Sequence, residues 1–220
     1  MVKLNNVKFG YKPNDLVIED VTYEFLKGNI YGVAGKNGAG KSTLFDLIAS
    51  KIVANAGQIE VDGVDAKNMS YIENPIIVLN NEKIFYKDLT VYEHFKLLKI
   101  YKRDLDITRK LEEFNLVSYA DNLPSELSLG TAQRLNIALK SVNSLNIILA
   151  DEPFNGLDPI EVERLKAFFT DLRNQGSLII VSSHDIHNLE QLCDKMLILK
   201  DGMLTEVSLD GNEGEIHERI

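Results

Sequence analysis

Apolar positions along the chain follow two rhythms. Short continuous or alternating runs recur at Val2 to Phe9, Val17 to Phe25, Ile30 to Ala34, Ile76 to Leu79, Asn146 to Ala150, Leu178 to Ser182 and Met196 to Leu199. Such runs predict strands, several of them covered on both faces. Between them the pattern is helical, at Ser42 to Ala49, Val91 to Ile100, Ile107 to Phe114, Leu129 to Val142, Ile160 to Asn174 and Ile186 to Cys193. Strands alternating with helices imply βαβ units and an α/β fold with a mainly parallel sheet. Asp62-Gly63 and Asp201-Gly202 stand between strand-like runs and predict hairpins, which add an antiparallel β edge. The region from Asn81 to Glu126 is the least strand-like and is expected to be a helical lobe inserted in the core.

Chain length suits a single domain, 1–220, with a well-buried core. No stretch approaches the roughly 20 uninterrupted apolar residues that cross a bilayer. Met1 to Phe9 lacks the basic start and apolar centre of a secretory signal, so a cytoplasmic location is expected. The single cysteine, Cys193, lies among Leu192, Met196 and Leu197 and reads as an inert buried thiol. A formal net charge of −9 argues against a nucleic-acid partner, which usually demands a basic face.

The candidate chemistry starts at Gly35-Lys36-Asn37-Gly38-Ala39-Gly40-Lys41-Ser42, which fits GxxxxGK[ST] and sits between an apolar strand and the helix beginning at Thr43. Glycines allow successive backbone N–H groups to turn inward, and the following helix aims its positive end at the same point. Lys41 is then expected at the β- and γ-phosphates of a nucleotide and the Ser42 hydroxyl on Mg²⁺.

A second acidic element follows the apolar run Asn146 to Ala150, as Asp151-Glu152-Pro153. The carboxyl end of a buried strand is where α/β sheets bind ligands. Neighbouring strand residues point to opposite sides, so the two acids are expected to have different tasks. Asp151 would complete the Mg²⁺ shell and Glu152 would take the proton of an attacking water.

Leu127-Ser128-Leu129-Gly130-Thr131, followed by Ala132-Gln133-Arg134-Leu135, resembles the LSGGQ-x-QR-L signature of ATP-binding cassette (ABC) proteins. Asn155-Gly156-Leu157-Asp158 resembles their D-loop, His184 after Val181-Ser182-Ser183 their switch histidine, and Tyr11 the aromatic that stacks on adenine. The resemblance runs from Val2 to about Thr205. It implies ATP and Mg²⁺ as ligands, Glu152 and His184 as catalytic residues, and nucleotide binding by Tyr11 with Gly35, Asn37, Gly38, Ala39, Gly40, Lys41, Ser42 and Thr43. Ser128 reads as the N-cap of an amphipathic helix carrying Leu135, Leu139 and Val142 on one face. In the family that helix start, with Ser128 and Gly130, serves the ATP of a partner cassette, giving a head-to-tail dimer.

Two departures stand out. Leu129 and Thr131 replace a glycine and the glutamine of the signature, and alignment places Asn81, or Asn80 one position earlier, where the family keeps a metal-contacting glutamine. His94, His187 and His217 are read as structural. The resemblance further implies separate integral membrane permease subunits as partners, a homodimer or pairing with a second cassette, and a peripheral position on the inner face of the cell membrane. Ser-Leu-Gly-Thr before Gln-Arg-Leu is similar to bacterial export and antimicrobial-peptide resistance cassettes. A soluble ABC ATPase acting on ribosomes or DNA, or a sensor without turnover, is less well matched by one cassette with Lys41, Asp151, Glu152 and His184 all present.

Overall fold

The computed structural model describes residues 1–12, 15–69, 75–79, 85–141 and 147–208. Its strands are β1 (Val2–Lys12), β2 (Asp15–Phe25), β3 (Ile30–Ala34), β4 (Ala56–Val61), β5 (Val64–Asp65), β6 (Ile76–Leu79), β7 (Ile147–Asp151), β8 (Leu178–Ser183), β9 (Lys195–Lys200) and β10 (Met203–Val207). Its helices are α1 (Lys41–Ile48), α2 (Val91–Leu98), α3 (Ile107–Glu113), α4 (Leu129–Lys140), α5 (Pro159–Asn174) and α6 (Ile186–Leu192). Asn80, Asn81, Val142, Asn146 and His217 lie outside the described residues.

Among the described residues, one sheet runs β10-β9-β3-β8-β7-β6 and the other β2-β1-β4-β5. In the first, β9, β3, β8, β7 and β6 pair in parallel and β10 is an antiparallel edge; the second is antiparallel throughout. Period-two alternation divides the central strands between two apolar layers. Ile148, Ala150, Ile179 and Val181 face one layer with Phe95, Leu135 and Phe169 from the helices. Ile147, Leu149, Leu178 and Ile180 face the other, with Leu44 and Ile48 of α1 and Val2, Leu4 and Ile18 of the antiparallel sheet. Burial on both faces explains why these strands read as unbroken apolar runs.

The expected hairpins are present: β4 and β5 meet around Asp62-Gly63, and β9 and β10 around Asp201-Gly202. Apart from α1, which starts at Gly40 without a side-chain cap, the α-helix starts are fixed by side-chain caps. Thr90 and Glu93 form a capping box on α2, Asp106 caps α3, Ser128 caps α4, Asp158 caps α5 and Asp185 caps α6. Each cap satisfies an otherwise orphaned N–H. His94, buried on α2, accepts the Tyr86 N–H at 2.9 Å and has Nδ1 2.7 Å from the Thr90 carbonyl, a structural role. His187 is near Gln191, 2.9 Å away. Cys193 is buried, and burial first, then Asp194, pushes its thiol pKa up.

Candidate functional site: a phosphate loop facing an acidic strand end

β3 ends at Ala34, and Gly35 to Gly40 wrap into α1. Gly35 is buried, Asn37 and Gly38 are exposed, and the Ala39 N–H closes a turn on the Lys36 carbonyl at 3.1 Å. Gly40, the residue before α1, has φ +100°, and a Cβ there would lie 2.8 Å from Val17 Cγ1. A side chain is therefore excluded by both conformation and space.

Lys41 is buried, and its Nζ donates to the Gly35 carbonyl at 2.7 Å and to that of Lys36 at 3.4 Å. The same ammonium is 3.4 Å from Glu152 Oε1. Ser42 Oγ donates to Asp151 Oδ2 at 2.6 Å. The phosphate loop and the acidic strand end, 109 positions apart, thus meet directly. A hydroxyl beside a carboxylate is a hard-oxygen set of the kind that suits Mg²⁺, which keeps most of its shell as water and phosphate.

Alternation along a strand is not what separates Asp151 from Glu152. Asp151 is the last residue of β7, whereas Glu152 leaves the strand with φ +48°. Such a conformation is unusual for a non-glycine residue. Ser182 on β8 holds it there: Glu152 N–H bonds the Ser182 carbonyl at 3.2 Å and its Oγ at 3.0 Å, while that Oγ donates to Asp151 Oδ1. The backbone turn sends the Glu152 carboxylate between Lys41 and His184, whose Nδ1 is 2.9 Å from Glu152 Oε2. The adjacent acids still diverge, by a different device from the one the sequence suggested.

Tyr11, at the end of β1, is 67% exposed, and its hydroxyl is 3.2 Å from Thr43 Oγ1. It stands edge-on to Phe9 with ring centroids 5.0 Å apart, an aromatic face beside the start of α1. Of the proposed metal contacts, Ser42 and Asp151 adjoin; Asn81 falls outside the described residues.

Ser128 caps α4 as expected, accepting from Thr131 N–H at 3.2 Å and donating to Thr131 Oγ1 at 2.9 Å. Gly130 is buried under α5: a Cβ there would lie 2.2 Å from Glu161 Oε2. What α4 presents outward is Ser128 and Leu129. Sequence reasoning did not single out Ser182, Glu161 or Gln133. The signal for Ser182 was a polar residue at a wholly buried strand position. Gln133 Nε2 donates to the Pro153 carbonyl at 2.8 Å, a contact that no spacing rule marks.

A glycine-lined loop at a helix start, a buried lysine and paired acids on the next strand but one define a P-loop nucleoside triphosphatase. The ABC transporter family matches residues 18–155, and the chain belongs to it as an ATP-binding subunit with ATPase activity. Among relatives, the lipopolysaccharide export system ATP-binding protein LptB of Haemophilus influenzae is 32% identical, over 90% of this chain and 86% of its own. The lantibiotic transport ATP-binding protein SrtF of Streptococcus pyogenes is 29% identical over 97% and 93%. A solved dimeric, post-hydrolysis state of the ATP-binding cassette MJ0796 bound to ADP and Pi superposes with a TM-score of 0.78 at 26% identity, covering 96% of this chain and all of that one.

Proposed function

We propose that this ATPase powers transport through separate integral membrane permease subunits, lying on the cytoplasmic face of the membrane and closing on ATP as a head-to-tail dimer. The observation that carries the catalytic part is the position of the Glu152 carboxylate between Lys41 Nζ and His184 Nδ1 at the mouth of the phosphate loop. In this reading the inward N–H groups of residues 35–43 and Lys41 hold the β- and γ-phosphates, and Tyr11 stacks on adenine. Water attacks the γ-phosphorus in line, Glu152 accepts its proton, and His184 orients that carboxylate and the terminal phosphate. Mg²⁺ bound with the phosphates would be held by Ser42 and Asp151, with Asn81 as a further contact, and would neutralise phosphate charge.

The trans contact is assigned to Ser128 with the backbone around Gly130, and each active site is completed by a second copy or another cassette. The dimeric MJ0796 cassette supports this assembly. The names of LptB and SrtF support transport. The helical lobe, about 81–126, is the proposed permease-docking face, and no nucleic-acid partner is proposed. No helix among the described residues is long and apolar enough to cross a membrane, so the membrane passage is assigned to the partner.

The test is affinity capture of the tagged chain from detergent-solubilised membranes of its native host, followed by mass spectrometry. A polytopic membrane protein in near-stoichiometric amount is expected. Ribosomal proteins or DNA-repair factors in its place would contradict the transport reading.

A further inference from the structure

An exposed basic turn follows α2. Between Glu93 and Asp104 the chain has four cations, Lys96, Lys99, Lys102 and Arg103, and no acid, although the whole chain carries −9. The turn also exposes two large apolar side chains, Ile100 at 67% and Tyr101 at 87%; among the described residues Tyr101 has the highest exposure of the exposed large hydrophobic side chains. Lys96, Lys99 and Arg103 are exposed with them.

This turn is anchored. The N–H groups of Ile100, Tyr101 and Lys102 bond the carbonyls of Leu97, Leu98 and Leu98 at 3.0–3.1 Å. Phe95 before it and Leu105 after it are buried. The flanking acids are largely turned to other work: Glu93 accepts from Thr90 N–H at 2.8 Å, although its carboxylate also feels the charge of Lys96, and Asp106 caps α3 through Arg109 N–H at 3.0 Å. Asp104 is exposed beside the turn and offsets one cation.

We propose that this turn touches the bilayer itself, with Ile100 and Tyr101 entering the headgroup layer and Lys96, Lys99 and Arg103 bonding the phosphates of anionic lipids. Amphipathic aromatic and aliphatic side chains ringed by cations are the composition of interfacial anchors. Screening makes the overall negative charge compatible with this, because only groups within about 8–10 Å of the surface feel it at physiological salt. The contact is additional to permease docking, and its test uses no permease, so either reading can fail alone.

The experiment is sedimentation of the purified full chain with vesicles of phosphatidylcholine alone or mixed with phosphatidylglycerol, at low and high salt. Binding to the anionic vesicles only, lost at high salt, is expected. Each basic residue at an anionic surface raises partitioning about fivefold, so the Lys99→Gln, Arg103→Gln double variant should partition about 25-fold more weakly. Tyr101→Ser should weaken it severalfold, and Lys99→Arg should leave it unchanged. ATP turnover of every variant should match the parent, since none lies in the nucleotide site. Equal binding to neutral vesicles, undiminished binding of the double variant, or retention on an oligonucleotide column in preference to vesicles would overturn the proposal.

Discussion

Gln133 donates a 2.8 Å hydrogen bond from Nε2 to the carbonyl of Pro153, the residue after Glu152. It stands on α4, whose first turn is the surface proposed for a partner's nucleotide, while Glu152 is proposed to serve the nucleotide of its own chain. One side chain therefore ties the helix that reaches outward to the loop that carries Glu152, the proposed general base. Its Oε1 is buried without a hydrogen-bond partner, so replacement by leucine removes one bond and one unmet acceptor together. Gln133→Leu is expected to lower kcat about tenfold, the value of one hydrogen bond of about 1.4 kcal/mol. KM for ATP and the melting temperature should change little. Steady-state kinetics with parallel melts checks this; a large loss of stability with unchanged kcat would show a merely structural bond.

Tyr11 offers its ring to a base and its hydroxyl to Thr43, 3.2 Å away. If stacking matters, Tyr11→Ala should raise the KM for ATP about fivefold, the equivalent of about 1 kcal/mol of aromatic contact. Tyr11→Phe, which loses only the hydroxyl, should stay within about twofold. Equal defects in both variants would point to the hydroxyl instead.

The two sheets are joined at their edges by Tyr23 on β2, which donates to Glu206 Oε2 on β10. That bond first, then Lys195, holds the Glu206 carboxyl below its ordinary range against the opposing effect of burial. A depressed carboxylate contributes stability above its unfolded pKa and loses it as pH falls through the folded value. Burial, then Glu206, pushes the Tyr23 hydroxyl up, so its share persists to about pH 10 and fades above. With the Glu206 side chain 43% exposed, screening reduces the bond to about 0.5–1 kcal/mol. Tyr23→Phe should therefore be less stable than the parent by that amount at pH 7, and the gap should close below about pH 4. Urea titrations across that range decide; a pH-independent gap would mean that packing, not the bond, was lost.

Gly130 is small because Glu161 lies over it. Adding a Cβ 2.2 Å from Glu161 Oε2 forces that carboxylate away from Arg164, which it meets at 2.7 Å. Gly130→Ala should cost about 1 kcal/mol, at the low end for overpacking because the neighbour is a flexible side-chain end. In a Glu161→Ala background the cost should vanish, as a double-mutant cycle would reveal. An unchanged cost there would place the clash elsewhere.

How far the sequence discloses the molecule depends on whether a feature is local. β3, at Ile30–Ala34, and β6, at Ile76–Leu79, match the apolar runs residue for residue, because both are bounded by turn-forming residues and packed on two faces. β1 continues past its apolar run to Lys12, since edge pairing with β2 needs no further burial. β4 is scarcely apolar, with Ile59 and Val61 its buried residues, so only its hairpin with β5 betrays it. At the site, the phosphate loop was legible because its glycines and lysine are consecutive. Ser182, Glu161 and Gln133 were not, because each acts on a residue 20 or more positions away, where spacing carries no message. Glu152 was set apart from Asp151 on an alternation argument that its left-handed backbone does not obey.

Closure of two copies on ATP is the central claim, and the Glu152→Gln variant tests it most directly. Amide for carboxylate keeps the side chain's shape but removes the proton acceptor, so hydrolysis should fall by about 10²–10⁴ while ATP still binds. Sedimentation velocity of that variant should show a monomer with Mg-ADP and a dimer with Mg-ATP. A monomer under both conditions, at concentrations that saturate ATP binding, would contradict the head-to-tail dimer.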